Sequence, residues 1–200
     1  MTGIIDYGCG NLFSLISSLE KIGERAEVIS DKSLQSGCDR VILPGVGAFG
    51  NAVQKLKNSG MEEVVKTLAA DGMPLLGICL GMQLLFEKSY EYGEHNGLSL
   101  LQGQVKPLYE DIPQLKIPHM GWNSLHFTRQ SKLFKYVEEG EYVYFVHSFH
   151  AKQCADILAT SVYGKEICAA VGRQNVYGVQ FHPEKSGDTG LRILKGFVEL

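Results

Sequence analysis

Short apolar runs alternate with segments of helical periodicity through the first half of the chain, and this alternation limits the fold more than any other feature. Four apolar runs, at residues 3–6, 26–30, 40–43 and 74–79, are predicted to be strands. Residues 12–22, about 52–70 and 80–87 have the spacing of helices, and Gly23 is placed to end the first of them. This alternation predicts an open, mostly parallel α/β sheet with helices on both faces.

The second half of the chain is richer in strand patterns. Runs at residues 103–108, 141–149, 157–163, 167–171 and 176–181 are separated by turn residues, and we expect antiparallel strands here that extend the sheet. A last helix is predicted at about residues 189–200. With 200 residues and no internal repeat or linker, the chain is expected to form a single domain over residues 1–200.

Charge and cysteine content argue against several classes of function. The chain has 19 basic and 22 acidic residues and no run of Lys or Arg, so nucleic-acid binding is not expected. Because no N-terminal signal pattern or long apolar stretch is present, we expect a soluble, cytoplasmic protein. Five cysteines without a C-x-x-C pair argue against a disulfide framework and a zinc site, and no metal or cofactor is expected.

The sequence G-I-C-L-G at residues 77–81 lies between a predicted strand and a predicted helix. It has the pattern of a nucleophile elbow, with the thiol of Cys79 at the central position. The glycines indicate a sharp turn that strains the backbone of the central residue and leaves no room for side chains beside it. The alternative for Cys79 is a buried structural cysteine. Cys9, which follows the first strand and also has glycine neighbours, is a competing nucleophile.

A base for this thiol is predicted at the end of the apolar run that precedes His182-Pro183-Glu184. Strand side chains two residues apart share a face, so Glu184 could hold one ring nitrogen of His182 while the other takes the thiol proton. This is the arrangement of nucleophilic catalysis by cysteine. A charged turn with a chance histidine is the alternative. Most of the other histidines are expected to be structural.

The segment V-I-L-P-G-V-G-A-F-G at residues 41–50 contains G-x-G-x-x-G, the spacing of a dinucleotide-binding turn. These glycines follow the third predicted strand and not the first, so the context of a dinucleotide site is missing. A cysteine hydrolase needs backbone N–H groups directed at the oxyanion of its tetrahedral intermediate, one after the nucleophile and one from a neighbouring loop. Leu80 and the Val46–Gly47 segment are therefore predicted to form an oxyanion hole.

Taken together, residues 77–83 and 182–184 resemble the triad, or class I, glutamine amidotransferases, a family whose glutaminase domain frees ammonia from glutamine through a thioester. Residues 6–11, 44–50, 118–123 and 144–149 are similar to those of one branch, the glutaminase subunits of imidazole glycerol phosphate synthases. The resemblance covers essentially the whole chain. It implies the flavodoxin-like class I glutamine amidotransferase fold.

The resemblance also implies residue roles. Cys79 would be the nucleophile, His182 the general base and then acid, and Glu184 the residue that orients it. Residues implied to contact glutamine are Gly47, Gln83, Glu91 and the backbone near Ser148. Most triad amidotransferases have Pro-Gly-Gly at the oxyanion loop, whereas Val46 is inserted here as in the synthase subunits. This insertion implies an oxyanion hole that is misaligned at rest and rearranges when the partner binds its ligand.

The implied partner is a (βα)8-barrel cyclase subunit in a heterodimer. It would use the ammonia to make imidazole glycerol phosphate and an aminoimidazole carboxamide ribotide in histidine biosynthesis. Asn11, Trp122 and Asn123 are predicted to face this partner, with burial in the core as the alternative for Trp122. Three other functions are open: a stand-alone cysteine hydrolase of another γ-glutamyl compound, a glutaminase subunit of a different synthase, and a non-catalytic binding module.

Overall fold

The apolar runs of the first half form neighbouring strands of one sheet. The computed structural model describes residues 1–30 and 37–200. Its strands are β1 (Thr2–Ile5), β2 (Ala26–Ile29), β3 (Arg40–Leu43), β4 (Leu75–Ile78), β5 (Lys88–Ser89), β6 (His95–Asn96), β7 (Gln104–Pro107), β8 (His119–Ser124), β9 (His126–Phe127), β10 (Tyr142–His147), β11 (Phe149–Lys152), β12 (Ile157–Tyr163), β13 (Lys165–Arg173) and β14 (Val176–Val179). Its α-helices are α1 (Leu12–Lys21), α2 (Phe49–Asn58), α3 (Met61–Ala70), α4 (Leu80–Leu84) and α5 (Gly187–Val198).

Within the described residues, the central sheet has eight strands in the order β2-β1-β3-β4-β14-β13-β12-β9. The first five are parallel, and β13, β12 and β9 continue the sheet in antiparallel pairing. This confirms the predicted α/β fold class with antiparallel extensions. The order of the parallel strands is that of flavodoxin-like sheets, in which ligands bind beyond the carboxyl ends of the strands.

Helices cover both faces of this sheet. On one face, Leu15 and Leu19 of α1 pack in the same apolar cluster as Ile193 and Phe197 of α5. On the other face, α2 and α3 contribute a second cluster. The adjacent residues of β1, Ile4 and Ile5, belong to opposite clusters because successive strand side chains alternate between faces. No helix among the described residues is long and apolar enough to cross a membrane.

Two predicted elements are divided in the structure, and the helix expected at residues 80–87 ends at Leu84. The continuous helix expected at about residues 52–70 is two helices, α2 and α3, because Gly60 adopts a left-handed conformation (φ 73°) that interrupts the helical backbone. The single strand expected at residues 141–149 is also divided. Its first part, β10, pairs with β8, whereas β11 begins after Ser148 and joins a separate four-stranded sheet, β11-β7-β5-β6.

Candidate active site

Cys79 lies at the sharp turn between β4 and α4, as the elbow pattern predicts. Its backbone has φ 53° and ψ −109°, a strained conformation for a residue with a side chain. The positions on either side of this turn, Gly77 and Gly81, have no room for a side chain. A Cβ on Gly81 would lie 1.8 Å from the carbonyl oxygen of Leu43, and one on Gly77 would lie 2.7 Å from that of Gly81. The turn therefore fits only because both positions lack side chains.

A Gly81→Ala variant is expected to lose about 3 kcal/mol of unfolding free energy. The added methyl would meet the main chain of Leu43, which cannot move without shifting β3. Urea unfolding measures the loss. Gly140→Ala is the control, because a Cβ there has open space and meets only the cost of a positive φ of 87°, about 1 kcal/mol. Equal losses in the two variants would contradict the steric explanation.

His182 reaches Cys79 because β14 and β4 are parallel neighbours whose carboxyl ends meet. The backbone N–H of Cys79 donates to the carbonyl of Val179, at 2.8 Å, which fixes the register at the site. Nδ1 of His182 is 2.8 Å from a carboxylate oxygen of Glu184. The sequence pattern predicted that Glu184 lies on a strand with His182, and this is wrong. Glu184 lies in a single 3-10 turn that begins at Pro183, and this turn brings its carboxylate to the ring.

The charge of His182 is set by its two neighbours. Burial alone would lower its pKa, but a hydrogen bond with Cys79 and another with Glu184 outweigh this effect and raise the pKa to about 10. The sulfur and the carboxylate therefore both favour the protonated form of the ring. Among the five cysteines, all in the described part of the chain, Cys79 is the one that raises the pKa of this ring and lines the same cavity. Cys9 lies in the loop after β1.

Cys79 and His182 open onto a cavity of about 320 Å³. The other residues that line it are Val46, Gly47, Leu80, Gln83, Glu91, Pro118, Val146, His147, Ser148, Phe149 and Lys185. The structure thus brings together every residue that the sequence assigned to the oxyanion hole and to glutamine contact. Glu184 lies behind His182 and lines a narrow adjoining space with Asn11. A larger open groove runs along residues 127–135, but it contains none of these groups.

The oxyanion loop is fixed at its start and open at its end. The buried hydroxyl of Tyr7 donates to the carbonyl of Pro44 at 2.9 Å, and a Cβ on Gly45 would lie 2.8 Å from that same hydroxyl. By contrast, Val46 is 45% exposed and a Cβ on Gly47 would meet nothing within 4 Å. Gly47 has a φ of 101°, which a β-branched residue would resist. Conformational freedom in this loop is therefore concentrated at Val46 and Gly47, and the oxyanion role stays a prediction.

Two of the residues expected to contact glutamine also have partners within the protein. The side-chain nitrogen of Gln83 donates to the carbonyl of Phe149 and to Oε1 of Gln180, both at 3.0 Å, which leaves its oxygen for a ligand. A carboxylate oxygen of Glu91 accepts from the backbone N–H of Phe49 at 2.6 Å. Burial raises the pKa of Glu91, although this hydrogen bond opposes the shift.

The three residues predicted to face a partner lie outside the main cavity. Asn11 caps α1, since its side-chain oxygen accepts from the backbone N–H of Ser14. Trp122 and Asn123 lie on β8. The indole of Trp122 is 51% exposed and contacts the ring of Tyr144, so it is a surface residue and not part of the core. The amide of Asn123 donates to the carbonyl of Val162.

Several residues at the site were not predicted from the sequence. Tyr7, His147 and Gln180 are buried polar side chains that contact the oxyanion loop, the cavity wall and the sulfur. A polar residue inside an apolar run that is buried on both faces of a parallel sheet was a usable signal for Gln180. For His147, the signal was a histidine at the end of the run that precedes Ser148.

Comparisons with known proteins find similarity over the whole chain. The family model described as "Glutamine amidotransferase class-I" matches residues 3–200. A Wolinella succinogenes protein named imidazole glycerol phosphate synthase subunit HisH is 53% identical over the full length of both chains. A Listeria monocytogenes protein of the same name is 48% identical over 100% of this chain and 96% of its own.

Solved structures show the same fold at lower identity. A crystal structure of a glutamine amidotransferase matches with a TM-score of 0.77 at 19% identity, covering 99% of this chain and 97% of the other. A chain in the structure of PurLQS from Thermotoga maritima matches with a TM-score of 0.76 at 17% identity, with the same coverage. The family match and the full-length similarity to HisH proteins show that this chain belongs to the class-I glutamine amidotransferases, in the family of the imidazole glycerol phosphate synthase subunit HisH.

Proposed function

We propose that this glutamine amidotransferase hydrolyses L-glutamine with the triad Cys79, His182 and Glu184 and delivers the ammonia to a cyclase subunit. The observation that carries the proposal is the ring of His182, which lies 2.8 Å from the carboxylate of Glu184 and shares the wall of a 320 Å³ cavity with Cys79. This arrangement supports nucleophilic attack by sulfur followed by proton delivery from the ring.

The proposed reaction has two steps. The thiolate of Cys79 attacks the side-chain amide carbon of glutamine. The oxyanion that forms accepts hydrogen bonds from the backbone N–H groups of Leu80 and the Val46–Gly47 segment. His182 gives its proton to the leaving nitrogen, so that ammonia departs and a γ-glutamyl thioester remains. The neutral ring then takes a proton from water, whose oxygen attacks the thioester. Glutamate is released, the proton stays on His182, and the thiolate re-forms.

Gly47, Gln83, Glu91 and Ser148 are proposed to hold the substrate. Gln83 lines the cavity, and its Oε1 atom has no hydrogen to give, so it suits a donor such as the ammonium group of glutamine. The carboxylate of Glu91 is suited to the same group. Positioning by several such contacts fixes the amide carbon near the sulfur, where a correct geometry accelerates attack.

The ammonia acceptor is proposed to be a (βα)8-barrel cyclase that forms a heterodimer with this chain. By similarity to the synthase family, it would combine the ammonia with a phosphoribulosyl formimino aminoimidazole carboxamide ribonucleotide. The products would be imidazole glycerol phosphate and an aminoimidazole carboxamide ribotide. A closed path between the subunits has a chemical reason, because ammonia in water becomes ammonium, which lacks the lone pair needed for attack.

The experiment that tests this proposal is a titration of glutamine hydrolysis with the cyclase, with and without the cyclase's nucleotide ligand. We expect slow hydrolysis by the isolated chain and faster hydrolysis in the ligand-bound complex, since the Val46–Gly47 segment is free to rearrange. Equal rates in all three conditions would contradict the regulated function. High activity on another γ-glutamyl compound without a partner would instead support a stand-alone hydrolase.

Trp122 provides a test of the partner surface. A Trp122→Ala variant is expected to weaken cyclase binding about tenfold or more, because large, half-exposed aromatic side chains are frequent anchors of interfaces. Isothermal titration calorimetry measures the affinity, and hydrolysis without the cyclase should be unchanged. Tyr109→Ala, which removes an exposed aromatic side chain outside the β8–β10 sheet, serves as the control. Equal affinity in the two variants would exclude Trp122 from the interface.

A further inference from the structure

Gln180 is a fully buried polar side chain directed at the nucleophile. It follows β14, between the core residues Val179 and Phe181, and its backbone N–H donates to the carbonyl of Ala169. Its side-chain nitrogen lies 3.7 Å from the sulfur of Cys79, within the range of a hydrogen bond to sulfur. The proposed triad gives this residue no role.

The orientation of the Gln180 amide follows from its neighbours. The carbonyl of Phe149 can only accept, so Gln83 must present its NH₂ group there, at 3.0 Å. The second hydrogen of the same nitrogen is directed at Oε1 of Gln180, also at 3.0 Å. Because the oxygen of Gln180 is used in this way, its NH₂ group is the end that faces the sulfur. A flipped amide would place two NH₂ groups against each other.

A buried histidine pair positions the carbonyl of Phe149, the first acceptor in the series of hydrogen bonds that leads through Gln83 and Gln180 to the sulfur. Nδ1 of His147 is 2.8 Å from the carbonyl of Phe149, and its Nε2 is 3.0 Å from Nδ1 of His119. Since the carbonyl only accepts, His147 carries its hydrogen on Nδ1 and accepts from His119. Burial lowers the pKa of both rings, to about 4 for His119 and about 3 for His147. Both rings therefore stay neutral at neutral pH, and the donor and acceptor roles along this series of hydrogen bonds do not change.

We propose that Gln180 is a catalytic residue that donates an N–H hydrogen bond to the thiolate of Cys79. This inference rests on the proposed role of Cys79 as the nucleophile. A thiolate is a much better acceptor than a thiol, so a donor held at the sulfur favours the ionised form. The same bond stabilises the sulfur as leaving group when the thioester is hydrolysed. Among the described residues, a thiol hydrogen on Cys79 has one acceptor besides His182. This acceptor is the carbonyl of Val146, which lies 3.9 Å from the sulfur.

The test compares Gln180→Met with the matched variant Gln83→Met. Both changes break the hydrogen bond between the two amides, but only the first removes the N–H at the sulfur. Alkylation of Cys79 by iodoacetamide is followed against pH, with the modified peptide quantified by mass spectrometry. The titratable groups near the sulfur or the cavity, all unchanged in both variants, are Tyr7, Glu91, His147, His182 and Lys185.

In Gln180→Met, the pH of half-maximal alkylation is expected to rise by about one unit. The expected shift in Gln83→Met is clearly smaller. If the methionine variant does not fold, Gln180→Asn takes its place. It keeps a buried amide but draws it back from the sulfur, so it should shift the pH profile in the same direction.

An unchanged profile in Gln180→Met, or in Gln180→Asn if that variant is used, would overturn the proposal. Equal shifts in Gln180→Met and Gln83→Met would also overturn it, because they would indicate a purely structural role. Failure of the proposed function is recognised separately. If Cys79 of the unmodified chain reacts no faster than Cys9, the nucleophile is misassigned and the role of Gln180 falls with it.

Discussion

A Cys79→Ser variant is expected to lose glutamine hydrolysis by a factor of at least about 10³ in kcat/KM. Serine is close in size to cysteine and fits the same strained turn, so the fold should be kept. Its hydroxyl, however, ionises far less readily than a thiol, and the pairing with His182 that raises the pKa of that ring depends on the sulfur. Ammonia release in the presence of the cyclase measures the loss.

Cys9→Ser is the matched control for this variant. Cys9 also follows a parallel strand and has glycine neighbours, but it lies in the loop after β1 and is not a partner of His182. Its replacement is expected to leave hydrolysis within about twofold of the unmodified chain, because Cys9 is only half-buried and serine nearly matches it in size. Loss of activity in Cys9→Ser with activity kept in Cys79→Ser would reverse the assignment.

The parallel strands could be predicted from the sequence because local pattern and tertiary position agree there, whereas the flavodoxin-like arrangement was implied only by the family resemblance. An apolar run such as residues 75–78 is buried on both faces whichever neighbours it has, and G-x-C-x-G can form one kind of turn. The break at Gly60 was missed because a glycine within a helical pattern is often tolerated. Its left-handed backbone is decided by the packing of α2 against α3.

At the site, the sequence identified residues by type and local turn, and it missed those whose role depends on distant contacts. Cys79 and His182 are recognisable from their own strand ends. The partners of Gln180 are 97 and 101 residues away in the chain, so spacing carries no trace of the contact. The division at Ser148 was equally invisible, because β10 and β11 read as one apolar run until their pairing with β8 and β7 separates them.

A Glu184→Gln variant is expected to lower kcat by about 10³- to 10⁴-fold and to move the alkaline limb of the pH profile. The carboxylate at 2.8 Å holds the ring of His182 in one orientation and is one of the two groups that raise its pKa to about 10. Below that pH the ring is protonated and can give its proton to the leaving ammonia. As pH rises through about 10, the proton is lost and hydrolysis should fall.

Without the negative charge of Glu184, the pKa of His182 should be lower, so the fall in kcat/KM begins at lower pH, by at least about one unit. Glutamine is close to glutamate in shape, so packing around Pro183 is preserved. Glu63→Gln, at an exposed carboxylate in the first turn of α3, is the control and should leave both the rate and the profile unchanged. An alkaline limb that stays in place in Glu184→Gln would show that Glu184 orients the ring without setting its charge, and an unchanged rate would remove Glu184 from the triad.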